Sequence, residues 1–341
     1  MRVVVCPDKF RGSLTAAAAA AAIAAGARRA GADDVVELPL ADGGEGTIDA
    51  LLAAVGGSLR EISVTGPLGD PVRAHYAVLR DGTAVVEMAR ASGLALVAGH
   101  NDPLRASTRG TGELIGAAAR GGCKRIVVAV GGSATTDGGL AAVEALGWKL
   151  PPVEVVVACD VTTRFADAAP VFAPQKGATA AQVKLLSRRL ESIAATYRDR
   201  LGAEVRDLEH GGAAGGLAGG LAALGARLEP GLDVVGDIVG LDDALERADL
   251  VITGEGKLDA TSLVGKVVGG VLERADEWDV AHRAVICGEA VADVRTAIES
   301  DSTRIYTLLD RAWSPGEAFT QATLLCEEAA IEAVRAMLGR A

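Results

Sequence analysis

The sequence predicts an α/β protein: a doubly wound parallel sheet carrying a large inserted mixed α+β domain. Three observations lead there. Short apolar β-branched runs alternate with helix-prone stretches at the front of the chain and again at its back. The middle breaks that alternation with strand runs separated by turns. The length, 341 residues, exceeds an ordinary single domain of about 100 to 200 residues.

Arg2 to Cys6 is the first strand, ended by Pro7, and Ser13 to Ala30 is an alanine-rich helix for which Ser13 or Thr15 supplies the cap. The low-complexity run Ala16 to Ala22 suits a helix packed closely on a sheet. A second strand over Val35 to Leu40, a glycine loop and a helix over Thr47 to Val55 repeat the pattern. At the back come Leu250 to Thr253, a glycine loop, a helix over Val267 to Ala275, strands over Ala284 to Cys287 and Arg304 to Leu309, and a last helix over Phe319 to Met337. Two βα units in front and three behind make a flavodoxin-like sheet of order 2-1-3-4-5. Residues 1–60 and 247–341 then form one discontinuous domain, and 61–246 the insertion. Within the insertion, strands fall at Glu61 to Thr65, Val72 to Leu79, Thr83 to Glu87, Arg125 to Val130 and Val153 to Cys159, with helices at Leu114 to Ala119 and Ala180 to Leu201.

Composition narrows the function. With 34 Lys and Arg against 45 Asp and Glu, the net charge of −11 opposes a phosphate backbone, and no basic run offsets it. Only 10 residues are aromatic, too few for base-stacking platforms. No nucleic-acid partner is therefore expected. The longest uncharged stretch, Gly211 to Ala226, is too short and too glycine-rich to span a membrane. Five scattered cysteines and the absence of a leader-like apolar start suit a cytoplasmic protein with reduced thiols.

Four glycine-rich segments each carry or adjoin an acid: Asp42-Gly43-Gly44-Glu45-Gly46, Gly131-Gly132-Ser133 through Asp137, Gly211 through Gly215 and Gly216, and Gly254-Glu255-Gly256-Lys257-Leu258-Asp259. Glycine lets a backbone approach phosphate closely, and neighbouring carboxylates suit Mg²⁺. One such loop is commonly a plain turn; four together point to phosphoryl transfer. Neither a Walker A motif nor a G-x-G-x-x-G fingerprint is present, which argues against a P-loop kinase or a Rossmann dehydrogenase. Ser107-Thr108-Arg109-Gly110-Thr111 precedes a helix and offers hydroxyls to an anion or to the helix itself. Lys9, Arg11, Lys176, Lys257 and Lys266 are cations near the loops, and Lys176 lies within Pro174-Gln175-Lys176-Gly177.

As a set, these segments resemble the bacterial glycerate kinases. The resemblance rests on Pro7-Asp8-x-Phe10 with Gly12-Ser13-Leu14, Ala41 to Thr47, Gly66 to Gly69, Ser107 to Ile115, Gly131 to Thr135 with Asp137-Gly138-Gly139, Ala158 to Val161, Pro174 to Ala178, Gly212 to Gly216, and Ile252 to Gly256 with Asp259. It implies a flavodoxin-like domain with an inserted domain, ATP and Mg²⁺ as cofactors, D-glycerate as substrate, 2-phosphoglycerate as product, and a site between the domains; a homodimer is one assembly open to it. Lys9 and Arg11 stand where the family usually has Ser and Lys, and the segments after Leu150 and after Val161 are shorter than in other members. On this reading Asp42, Asp137 and Lys176 are catalytic. Glu45, Asp160, Glu255 and Asp259 are metal ligands. Asp8, Lys9, Arg11, Gly43, Gly44, Ser107, Thr108, Thr111, Gly131, Gly132, Ser133, Gly215, Gly216, Gly254, Gly256 and Lys257 contact substrate or phosphate. The alternatives are a nucleotide- or acid-binding regulatory protein that has lost turnover, and a kinase of another small hydroxy acid.

Overall fold

The protein is described by a computed structural model covering residues 1–339. Its chain divides into two compact units, one made of Met1–Asp42, Asp49–Val55 and the chain from Leu232 onward, the other of Gly43–Ile48 and Gly56–Gly231. The division departs from the expected boundaries in three places: residues 232–246 go with the first unit, and the turn 43–48 and residues 56–60 go with the second.

The strands are β1 (Arg2–Val5), β2 (Asp34–Glu37), β3 (Gly57–Thr65), β4 (Pro71–Leu79), β5 (Thr83–Glu87), β6 (Arg125–Ala129), β7 (Glu154–Ala158), β8 (Arg227–Glu229), β9 (Leu250–Leu258), β10 (His282–Ala290) and β11 (Thr303–Thr307). In the first unit the order is β11-β10-β9-β1-β2, with every neighbouring pair parallel. This is the expected 2-1-3-4-5 arrangement. Val3 pairs with Val35 on one side and with Leu250 on the other, which buries β1 completely along Val3, Val4 and Val5. Apolar β-branched residues suit such a central strand because both of its faces are covered.

The alanine-rich helix runs Ala16–Arg29 and starts later than expected, with the Thr15 hydroxyl accepting from the Ala18 N–H at 3.1 Å. Residues 10–14 are spent on a tight turn, in which Phe10 and Leu14 form an isolated bridge and Gly12 takes φ +84°. The alanines also face a helix. A Cβ on Gly26 would lie 2.2 Å from the Glu327 carbonyl, so helix Ala322–Met337 rests almost on the backbone of the first one. The expected terminal helix is two, Pro315–Thr320 and Ala322–Met337, broken at Gln321.

The second unit is a mixed sheet of order β3-β4-β5-β6-β7-β8, antiparallel at β3/β4 and β4/β5 and parallel beyond. Helix Ala180–Leu201 has the expected bounds, with a Thr179 capping box at its start and left-handed Gly202 at its end. All five cysteines are buried with free sulfurs. Among the described residues, no helix is long and apolar enough to cross a membrane.

Candidate active site

A sheet of order 2-1-3-4-5 reverses direction between its first and third strands, and ligands bind outside the carboxyl ends of the strands at that switch point. Here those strands are β1 and β9. Asp8 lies just beyond β1, and its N–H donates to the Gly254 carbonyl of β9 at 2.8 Å. The segment expected as a glycine loop at 254–259 is strand as far as Leu258, because pairing with β10 continues through Glu255–Cys287 and Lys257–Glu289. Gly254 is required for that approach: a Cβ there would sit 1.9 Å from the Ile286 carbonyl oxygen.

At this switch point lies a cavity of about 490 Å³, all of whose lining belongs to the first unit. Asp8, Lys9, Arg11, Asp42, Glu255, Gly256, Lys257 and Asp259 line it, together with Lys266 and Glu289. Burial raises the Asp8 carboxyl to about 6, against Lys9 and with the help of Asp42. Burial likewise raises Glu255 to about 7, and its Oε1 is buried without a hydrogen-bond partner. Two other residues are tied up locally. Asp259 accepts from the Thr261 N–H and hydroxyl at 2.9 and 2.6 Å, which lowers its pKa. Lys257 pairs with Glu289 at 2.6 Å on the exposed rim.

A second cavity, of about 380 Å³, lies wholly within the second unit and is lined by Gly131, Gly132, Ser133, Asp160, Lys176 and Ala214 among others. Lys176 is 3% exposed, and its Nζ donates to the Thr135 carbonyl at 2.5 Å. Burial lowers its pKa to about 7, partly opposed by the charge of Asp137. Ala214, Gly215 and Gly216 form a left-handed kink in helix Ala213–Ala223. A Cβ on Gly215 would lie 2.1 Å from the Thr135 carbonyl, so these glycines serve close packing behind the cavity wall.

Other expected residues turn inward. Thr108 directs its hydroxyl to Asp137, and Thr111 directs its hydroxyl to Ser92 at 2.9 Å, so neither presents its hydroxyl outward; the Ser107 Oγ accepts from the Arg109 N–H at 3.2 Å. Burial raises Asp137, although N–H donors from Thr108 and Gly139 oppose the shift. In the turn 43–48, Glu45 is exposed, a Cβ on Gly43 would lie 2.8 Å from the Ala158 carbonyl oxygen, and a Cβ on Gly131 would lie 2.6 Å from the Gly44 Cα.

Sequence reasoning missed Glu87. It is 1% exposed at the end of β5 and accepts from the Gly46 and Ile48 N–H groups, both at 2.9 Å, and from Arg90 Nε at 2.8 Å. Its one signal was an acid ending an otherwise apolar strand. The two half-buried carboxylates of the switch-point cavity, set among lysines, are of the kind that can hold a polyphosphate with a divalent cation.

A sequence model of the glycerate kinase family matches residues 3–152 and 149–338. The chain is 39% identical to the glycerate kinase of Bacillus subtilis (strain 168), over 90% of this chain and 87% of that protein. It is 38% identical to the glycerate 2-kinase of Escherichia coli (strain K12), over 94% and 93%. Its fold is similar to a crystal structure from Salmonella typhimurium LT2 assigned as glycerate kinase 2, with a TM-score of 0.84, 34% identity, and coverage of 99% of this chain and 98% of that one.

Proposed function

The chain belongs to the glycerate kinase family, and from that premise we propose that it transfers the γ-phosphoryl group of ATP to D-glycerate, with Mg²⁺, to give 2-phosphoglycerate. It is an enzyme, a kinase acting on glycerate. The observation that carries the finer reading is the switch-point cavity, where Asp8 and Glu255 are both raised by burial beside Lys9 and Lys266. Buried acids that cost free energy when ionised gain most from a bound cation, which the phosphates of a nucleotide bring with them.

Glu255 fits Mg²⁺ on one direct ground, that its Oε1 is buried with no hydrogen bond to lose, and Asp8 lines the same cavity. Among the described residues no group of three or more Asp, Glu, His or Cys forms a metal cage. Mg²⁺ in kinases commonly needs only one or two carboxylates beside substrate phosphates. When bound it neutralises charge on those phosphates.

Lys9, Arg11 and Lys266 hold the triphosphate. Asp42 takes the proton of the attacking hydroxyl as the new O–P bond forms and the bond from the γ-phosphorus to the bridging oxygen breaks, releasing ADP. Positioning and charge neutralisation supply the acceleration.

An ADP-release assay across D-glycerate, L-glycerate, glycolate and tartronate tests the reading. D-Glycerate should be the best acceptor, and an enolase-coupled signal should register its product without a mutase. ADP release from none of the four acids overturns the proposal.

A further inference from the structure

The switch-point cavity has an uncharged side that the kinase reading leaves unused. Leu308 and Leu309 follow β11, and Pro315, Ala318 and Phe319 come from the short helix Pro315–Thr320; all five line the cavity. Phe319 is 54% exposed, and its ring packs against the turn that carries Lys9 and Arg11, so closely that a Cβ on Gly12 would lie 3.1 Å from it. A three-carbon hydroxy acid has no apolar surface to bury there, whereas a nucleobase is a flat apolar face attached to a chain of phosphates. The neighbouring cations at 9, 11 and 266 mark the phosphate end.

This wall is also poor in hydrogen-bond donors for the edge of a base. Its side chains carry no hydrogen-bonding groups. The Leu308 and Leu309 N–H groups already donate to the Cys287 and Gly288 carbonyls at 2.8 and 3.1 Å. The Ala318 N–H donates to the Ser314 carbonyl at 3.0 Å, and Pro315 has no N–H. Sites that hydrogen-bond a substrate reject analogues lacking the partner by about 10⁴-fold or more, whereas apolar pockets discriminate far more weakly.

We propose that the wall formed by Leu308, Leu309, Pro315, Ala318 and Phe319 is a nucleobase subsite that recognises the base by stacking and shape, so that the kinase accepts purine nucleoside triphosphates with little regard to their exocyclic groups. The proposal rests on the kinase reading above and adds the substrate class of its donor site. Phe319 is the stacking residue, and the phosphates lie toward the turn at residues 9–13.

The test measures kcat and KM with ATP, GTP and ITP at saturating D-glycerate, in the wild type and in Phe319→Ala and Phe319→Tyr, alongside calorimetric titration of each protein with ADP and GDP. We expect kcat/KM for GTP and ITP within about tenfold of ATP. In Phe319→Ala the nucleotide KM and the ADP Kd should rise about tenfold, with the D-glycerate KM unchanged, and Phe319→Tyr should restore both. A preference for ATP over GTP above about 100-fold overturns indifference to the base. An unchanged ADP Kd in Phe319→Ala overturns the subsite. If ADP and GDP bind and respond to Phe319 but no acid is phosphorylated, the subsite stands and the kinase reading fails.

Discussion

Thr108 gives both its backbone N–H and its hydroxyl to one carboxylate oxygen of Asp137, at 2.9 and 2.8 Å. The same hydroxyl oxygen accepts from the Ala142 N–H at 3.1 Å, and Asp137 also accepts from the Gly139 N–H at 3.2 Å. The pair thus ties the start of helix Arg109–Arg120 to the start of helix Leu140–Ala145. Thr108→Val keeps the shape but strands an acceptor and a donor, and should cost about 1–3 kcal/mol in urea unfolding. Thr108→Ser should recover most of it. Equal stability of all three proteins would show that the pair contributes nothing.

Glu255 and Lys176 make opposite pH predictions. The folded pKa of Glu255 is raised from 4.5 to about 7, so its favourable contribution is complete below pH 4.5 and is lost as pH rises through 7. Glu255→Gln should therefore gain on the wild type between pH 4 and pH 8, by roughly 1–3 kcal/mol. The folded pKa of Lys176 is lowered from 10.5 to about 7, so its cost is full below pH 7 and is relieved as pH climbs to 10.5. Lys176→Met should hold its largest advantage near pH 6 and lose it above pH 10. Thermal midpoints across pH 4 to 10 check both, and gaps that do not move with pH count against the burial of these charges.

Asp42 is the proposed proton acceptor. Asp42→Asn should lower kcat by about 100-fold or more while circular dichroism and the thermal midpoint stay near wild type. Wild-type turnover removes it from that role.

Glu87 holds two N–H groups of the turn that carries Gly43 and Gly44. Glu87→Ala leaves those donors and Arg90 without their partner and should reduce kcat/KM for D-glycerate by at least about tenfold, with a lower thermal midpoint. Glu87→Gln keeps one carbonyl oxygen for both donors and should rescue most of the activity. Failure of that rescue would assign the effect to the lost Arg90 ion pair instead.

Local pattern carried much of the fold. The apolar run at Val3, Val4 and Val5 and the helical pattern over Ala180 to Leu201 announce a buried strand and a helix because both depend on near neighbours in the chain. The break at Gln321 and the continuation of β9 through Lys257 were not legible, since each depends on a partner far off in sequence: Glu255 stays in strand because Cys287 lies opposite. The same holds for the site. Glycines and acids in order flagged Asp42 and Glu255, and the family resemblance flagged Asp8, but the inward bonding of Thr111 to Ser92 and the clamp by Glu87 are contacts between segments 19 and 39 or more residues apart.

By itself, the chain of residues determined the order of strands and helices, the family, and the types of side chain available for phosphate chemistry, because periodicity, capping and glycine placement are properties of short stretches. Tertiary structure alone decided which of those side chains share a cavity. The parallel pairing of β1 with β9 puts Asp8 beside Glu255, and burial there raises both carboxyls, a shift that arises only once water is displaced from around them.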